Sequence, residues 1–420
     1  MLDNQDIQPL FRVPTCVLFA TRSVMPKPIP TKATAFVGRL PSGRKDASEA
    51  EAARYIQVFA TDAPSVVTFT KGSPYRDRFR QGASLVPRMI CFVERVTAGR
   101  LGVAASAPIV RSKRSTKEKL PWRELPALEG AVEAEFLRPV LLGESIAPFR
   151  VLRASEGIVP MLPSGDMLNA DAAARRGFTH LSNWLERAEN LWRTHSSGRA
   201  TLSQQLNHIG KLSAQASPAP IRVVFSKSGT LPAAAIVRNS AAIIDHKLYW
   251  AGVATLDEAG YLTAILNSEA ARRRIAHLQS RGEQGARDFD KLFFTLPIPR
   301  FDPRTELHQQ LAKAAGRAEK IAGAVAIDLD QPFTRSRSLV RQALADASAS
   351  VEIDSLVEQL LGPDGNASTT SHLPRRSTVQ RNRMMEEARV WTERHQNDPS
   401  ERRLAEDAEH VQALSGSVEP

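Results

Sequence analysis

Ala242-Ile243-Ile244-Asp245-His246-Lys247-Leu248-Tyr249-Trp250 opens a stretch that runs on to Pro299. Gly260-Tyr261-Leu262-Thr263-Ala264-Ile265-Leu266-Asn267-Ser268 forms its middle, and Phe289-Asp290-Lys291-Leu292-Phe293-Phe294-Thr295-Leu296-Pro297-Ile298-Pro299 closes it. The first segment is an apolar run of buried-strand length. The second reads as a short helix. A basic loop with Arg272, Arg273, Arg274, Arg281 and Arg287 follows. The third segment reads as another buried strand, ended by prolines that cannot continue a ladder. Leu262, Ile265, Leu266, Phe289, Leu292, Phe294 and Leu296 are expected to share one core.

Outward from this stretch, the 420-residue chain is long enough for two or three domains. Apolar residues make up 42% of it, so most of the chain is expected to fold, while 27 prolines point to many loops. The formal charge of +11 favours a polyanionic partner, with nucleic acid ahead of a membrane surface. The charge is concentrated. Residues 71–123 hold thirteen Lys and Arg against Asp77, Glu94 and Glu118, a formal +10, with Tyr75, Phe79, Phe92 and Trp122 interleaved. Such a surface suits phosphate contact, and the alternative is a solvated basic face.

Cys16 and Cys91 are the only cysteines and cannot make a four-ligand zinc site unaided. They suit a reducing, cytoplasmic setting. The amino terminus lacks the basic segment of a secretory signal, and no apolar run approaches membrane-spanning length.

Upstream, Val13–Ala20, Ile56–Phe59 and Val66–Phe69 read as short buried strands, and Leu85–Val93 as a core strand. Leu181, Trp184, Leu185, Ala188, Leu191 and Trp192 recur at helical spacing on one face, which makes the tryptophans core residues rather than base-stacking platforms. Residues 202–212 read as a second helix. Ile221–Ser226, Ala233–Val237 and Ile243–Trp250 read as strands. Lys227-Ser228-Gly229-Thr230 is a tight turn without the spaced glycines of a P-loop. Asp302-Pro303 reads as the cap and first position of a long helix. Its stripe from Leu307 to Val325 needs a partner, either 339–361 of this chain or another subunit. Residues 380–412 read as a loosely held helix or disorder.

The order Tyr261-Leu262-x-Ala264-Ile265-Leu266-Asn267-Ser268, a basic gap, then Phe293-x-x-Leu296-Pro297-Ile298-Pro299 resembles the target-recognition region of restriction–modification DNA methyltransferases. It is similar to the C-terminal part of type IIG-like N6-adenine methyltransferases and to type I specificity subunits. Gly82-Ala83-Ser84-Leu85-Val86-Pro87-Arg88 resembles the start of that recognition domain, and Leu137-x-Pro139-x-x-x-Gly143 resembles the approach to its DNA-reading strands. The resemblance implies an α+β fold with a mixed or antiparallel, β-rich recognition domain, helical insertions and a helical segment after it. The implied domains are a β-rich segment over 1–70 that resembles the end of a methyltransferase domain, a recognition domain over 71–300 with a helical insertion near 168–215, a helical spacer over 301–362, and a linker and weakly ordered tail over 363–420.

The enzyme motifs of that family are missing. The chain has no Pro-Pro dipeptide for the adenine-binding loop and no Gly-x-Gly for S-adenosylmethionine. The implied role is therefore a DNA specificity module without catalytic residues, metal or cofactor of its own. S-adenosylmethionine is expected on a partner methyltransferase subunit or a missing domain. A fragment of a split methyltransferase and a protein-binding scaffold of a phage-defence complex are the alternatives. Asp245-x-Lys247 also resembles half of a metal-dependent nuclease site, but lacks a second acidic strand position. Double-stranded DNA is the expected ligand. Lys71, Arg76, Arg78, Arg80, Arg88, Arg111, Lys113, Arg114, Lys117 and Lys119 are expected to track its backbone, with Lys227, Lys247, Arg272, Arg273, Arg281 and Arg287 reaching phosphates or guanine edges.

Overall fold

Two sheets stitched together by one short strand form the frame of the molecule. The computed structural model describes residues 2–8, 16–17, 32–40, 48–62, 72–96, 104–115, 118–279, 281–282, 285–286 and 288–362. The stretches 13–15, 18–20 and 66–69, and the C-terminal residues 363–420, lie outside the described residues. The chain divides into a main unit, Met1–Arg114 with Leu125–Pro363, and a second unit, Ser115–Glu124 with Asp364–Pro420. In the second unit the described residues form turns, with Arg123 N donating to Lys119 O at 3.0 Å. Together the elements make an α+β fold with mixed and antiparallel sheets.

The first sheet is antiparallel, in the order Ala234–Val237, Ile221–Ser226, Leu248–Val253, Arg80–Gln81. Strand alternation sends Val223, Phe225, Tyr249 and Ala251 to one face and Val224, Leu248 and Trp250 to the other. Each face is buried, which explains the nearly continuous apolar runs. The second sheet has six strands, in the order Ile243–Ile244, Leu137–Leu141, Ser155–Ile158, Phe92–Arg95, Ile109–Ser112, Glu129–Ala131. Its first pair is parallel, and the other pairs are antiparallel. Ile243–Ile244 stitches the two sheets. Ala83 N donates to Ile244 O at 2.9 Å, and Asp245 N donates to Leu141 O at 3.0 Å. Leu141, Ile146, Ile244, Val224 and Trp250 fill the space between the sheets. A separate four-stranded sheet runs Cys16–Val17, Leu2–Gln8, Lys32–Arg39, Ile56–Asp62.

The helix Leu256–Asn267 covers the outer face of the first sheet. Thr255 caps it by accepting from Glu258 N at 3.1 Å. Every residue from Glu258 to Leu266 is buried, because the sheet lies on one side and the helix Glu306–Ala324 on the other. Gly260 permits that approach: a Cβ there would sit 3.0 Å from Ala312 O. The facing stripe of Leu311, Ala312, Ala315 and Ala318 is mostly alanine, so the two helices pack closely. Val340, Leu344, Ile353 and Val357, from the helices Phe333–Asp346 and Ala349–Leu361, complete the same core. The stripe therefore finds its partner within this chain. The helix Thr179–His195 buries Leu181, Trp184, Leu185 and Ala188, and the Glu133 carboxylate accepts from its first amides, His180 N at 2.9 Å and Leu181 N at 2.7 Å. Trp184 is a core residue, as its spacing suggests, while Trp192 is half-buried and donates to Ala200 O at 2.7 Å.

Several local expectations are corrected. The expected strand after Phe289 is a single 3₁₀ turn, Leu292–Thr295. Asp290 takes a positive φ of 38°, and Phe289 N is already bound to Lys227 O at 2.8 Å, so the chain turns in place of pairing. Leu85–Val93 contains the short helix Arg88–Cys91 before the strand Phe92–Arg95. Asp302 does not cap the following helix. It accepts from the backbone and side chain of Arg304, and the helix starts three residues on, at Glu306 after Thr305. The helix over 202–212 stops at Leu206 and passes into 3₁₀ turns at His208–Gly210 and Ser213–Gln215. Ile243–Trp250 is two strands broken by a turn at Asp245.

Candidate nucleic-acid interface

Arg80–Gln81 is the edge strand of the first sheet, with Arg80 opposite Trp250 and Gln81 opposite Tyr249. The register puts three other basic segments at the same end. Lys227 N donates to Lys247 O at 2.9 Å, which joins the turns that follow and precede the two central strands. Gln81 is the hub. Its amide accepts from Lys211 Nζ at 2.8 Å and donates to His246 O at 2.9 Å. Lys291 lies within electrostatic reach of Arg76 and Asp77. Arg76, Arg80 and Lys247 are exposed. Among the described residues, no carboxylate forms an ion pair with Arg76, Arg80, Lys211, Lys247 or Lys291.

The electrostatics at this end are frustrated. Burial, and then the charge of Lys227, depress the Lys211 ammonium below its usual range. Burial likewise lowers Lys291, with Asp77 opposing and Arg76 reinforcing the effect. Two of the nearby acids, Asp290 and Asp245, are engaged with other groups. Asp290 sits 3.5 Å from Lys227 Nζ and accepts from Tyr249 OH at 3.2 Å. Burial, and then Asp290, hold the Tyr249 phenol well above its ordinary value. Asp245 is fully buried. Burial alone would raise it, but His246, with Nδ1 at 3.0 Å, the amide of Lys247 and the charge of Arg88 outweigh that and keep it ionised. It thus braces a turn. Among the described residues, no group of three His, Cys, Asp or Glu side chains is arranged to hold a metal.

The other expected contact residues are placed differently. Arg78 donates to Glu258 Oε1 at 2.6 Å and to Gly252 O at 2.9 Å, with its guanidinium over Tyr75. Arg88 lies over the Phe92 ring at 5.5 Å, and Arg111 pairs with Glu129 at 2.6 Å. Arg114 donates to Leu125 O. Arg272 pairs with Glu269 at 2.5 Å, Arg273 with Glu358 at 2.9 Å, and Arg274 donates to Gly362 O at 2.6 Å. Arg272 pairs within its own helix, Glu269–Ile275, whereas Arg273 and Arg274 fasten that helix to the helix Ala349–Leu361 and its cap. Lys113 is exposed at the end of the strand Ile109–Ser112, away from the edge strand in the pairing order, and Lys119 is exposed in the second unit. Arg281 lies in the hairpin strand Arg281–Gly282. Lys71, Lys117 and Arg287 lie outside the described residues. Sequence reasoning missed Lys211, Lys291 and Gln81. Strand register brings Gln81 to this end and turns bring Lys211 and Lys291, and no spacing in the sequence announces it.

No protein-family model and no curated protein sequence matches the chain. Among solved structures it is similar to the type IIL restriction–modification enzyme MmeI in complex with DNA, with a TM-score of 0.39 and 13% identity over 55% of this chain and 29% of that one. It is also similar to the type IIG restriction endonuclease BpuSI, with a TM-score of 0.29 and 10% identity over 79% of this chain and 40% of that one. The chain spans less than half the length of either enzyme. Among the described residues, no helix is long and apolar enough to cross a membrane.

Proposed function

We propose that this chain is a DNA-binding, target-recognition module of a restriction–modification system, positioning duplex DNA for a methyltransferase domain or subunit that carries S-adenosylmethionine. The observation that carries the reading is the crowding of Arg76, Arg80, Lys211, Lys247 and Lys291 at one sheet end with no ion pair to a carboxylate among the described residues. Holding Lys211 close to Lys227 is unfavourable in the free chain. A phosphate oxygen between like charges relieves that repulsion and releases condensed counterions. The sequence resemblance supplies the family and the expectation of base reading, for which Arg281 and Arg287 are the proposed residues.

Fluorescence anisotropy with a short labelled duplex tests the assignment of roles. Binding without the catalytic partner is expected to be mostly non-specific, on the order of micromolar at physiological salt. Lys247→Ala and Arg80→Ala weaken it, whereas Arg111→Ala and Arg273→Ala, whose guanidinium groups are already paired, leave it nearly unchanged. Equal losses from the paired and unpaired groups would remove the sheet end as the contact surface.

A further inference from the structure

Arg222 is a cation sealed inside the protein. It lies on the central strand Ile221–Ser226, and its relative exposure is 0%. Alternation along that strand, with partners Val237 and Gly252, points it to the inner face between the two sheets, the face that carries Val224 and Trp250. One of its nitrogens, Nη2, donates to Asn239 O at 2.6 Å. Among the described residues, no acceptor is bound to its Nε or Nη1, which are both buried.

A second guanidinium converges on the same turn. Arg138, on the strand Leu137–Leu141, donates through Nε to Ala241 O at 2.8 Å, two residues from the carbonyl that Arg222 uses. The two are near enough to repel. Burial, and then Arg138, push Arg222 down to about 10, so both remain charged at neutral pH. Among the described residues, no carboxylate pairs with either; the acid beside the turn, Glu319, is taken by Arg238 in a two-point contact at 2.5 and 2.9 Å. A third donor is unmatched on the same inner face. Trp250 Nε1 is buried without a partner, and the register sets Trp250 opposite Val224, one pleat repeat from Arg222.

The unmatched nitrogens here, Arg222 Nε and Nη1 and Trp250 Nε1, are all donors, and two of them belong to one cationic guanidinium. A buried charge without a counter-charge is strongly disfavoured, and unsatisfied buried donors add to that cost. A neutral ligand, or one that donates hydrogen bonds, does not correct this imbalance. An acceptor-only, negatively charged ligand does. The turn over 238–241 is exposed and carries both carbonyls that hold the guanidinium groups.

We infer that Arg222 and Arg138, closed over by the turn at 238–241, form a binding site for a small free oxyanion of the phosphate class. Full burial of Arg222 keeps a DNA backbone from reaching it, so this site is separate from the sheet-end surface and stands whether or not that surface binds DNA. Bound anion would lock the turn onto both sheets and stabilise the fold.

The test is thermal unfolding of the full chain in a titration of inorganic phosphate, with chloride adjusted to hold ionic strength constant. The wild type is expected to show a saturable rise in its midpoint, about 5 °C at a hundredfold excess over the dissociation constant. Arg222→Met and the half-exposed Arg138→Gln lose that rise. Phosphate also stabilises proteins generally by exclusion from their surfaces, an effect that is not saturable and acts on the variants alike. A wild-type response matched by both variants, or no response beyond that of chloride, overturns the proposal. A parallel duplex titration separates the two sources of phosphate: Arg222→Met is expected to bind DNA as the wild type does. Loss of DNA binding by that variant would instead make a backbone phosphate the ligand and overturn the free-anion assignment. If Arg222→Met does not fold, the wild-type and Arg138→Gln titrations still decide.

Discussion

Arg78 and Arg80 stand two residues apart in the same basic run and do different work. Arg78 spans Glu258 and Gly252, while Arg80 points outward from a sheet edge. Replacing Arg78 with Ala leaves the buried Glu258 with one donor fewer, and is expected to lower the denaturant midpoint measurably. Arg80→Ala is expected to change stability by no more than about 0.5 kcal/mol. Equal midpoints for the two would refute the division. Sequence alone could not make it, because charge density does not reveal which side chain finds an acid far along the chain. Glycine is more legible. Gly82 donates to Leu248 O at 3.0 Å, and a Cβ on it would meet Ile244 O at 2.3 Å and Asp245 O at 2.4 Å. Gly82→Ala therefore forces the stitched strands apart and should cost about 2–4 kcal/mol in chemical unfolding. A loss under 1 kcal/mol would mean that the stitch is loose.

At the scale of elements, apolar runs located the strand Ile221–Ser226, while the reading of 243–250 as one strand and of 260–268 as a short helix caught only part of the strand Leu248–Val253 and of the helix Leu256–Asn267. The same pattern named their core: Leu262, Ile265, Leu266, Phe289, Phe294 and Leu296 are buried, and Leu292 packs against them partly buried. Leu266→Ala should cost about 2–5 kcal/mol. The Phe289–Leu296 segment was legible as buried but not as a turn, because a short apolar run has the same pattern whether it pairs or folds back. The start of the helix Glu306–Ala324 was missed because Asp302 has a nearer partner in Arg304. His308 organises that start instead. It is buried, its Nδ1 accepts from Asp302 N at 3.0 Å, and its ring packs on Tyr261. Burial, opposed by Asp302, lowers its pKa from 6.5, which favours the neutral ring in the folded chain. Below that value the unfolded chain binds more protons than the folded one, so this contribution is full above about pH 6.5 and fades as pH falls. Stability measured by urea unfolding should decline from pH 7.5 to 5.5 in the wild type. The decline should be shallower in His308→Asn, whose amide oxygen can still accept the Asp302 amide. Identical pH profiles would show that His308 is not the titrating group.

For the molecule as a whole, the concentration of charge in 71–123 was visible in the sequence, but its distribution in space was not. Folding spends Arg78, Arg95, Arg111, Arg114, Arg272, Arg273 and Arg274 on internal partners. It recruits Lys211 and Lys291 from outside that run to the edge where Arg76, Arg80 and Lys247 have no ion pair among the described residues. The contact proposed for this sheet end is with the DNA backbone. It is tested most directly by the salt dependence of duplex affinity, read by anisotropy from about 50 to 200 mM salt. Five or six phosphate contacts predict a slope of log K against log salt near −5, and Arg80→Ala combined with Lys247→Ala should flatten it by about 2 units whatever the DNA sequence. A slope near zero in the wild type, or the same slope in the double variant, would contradict it.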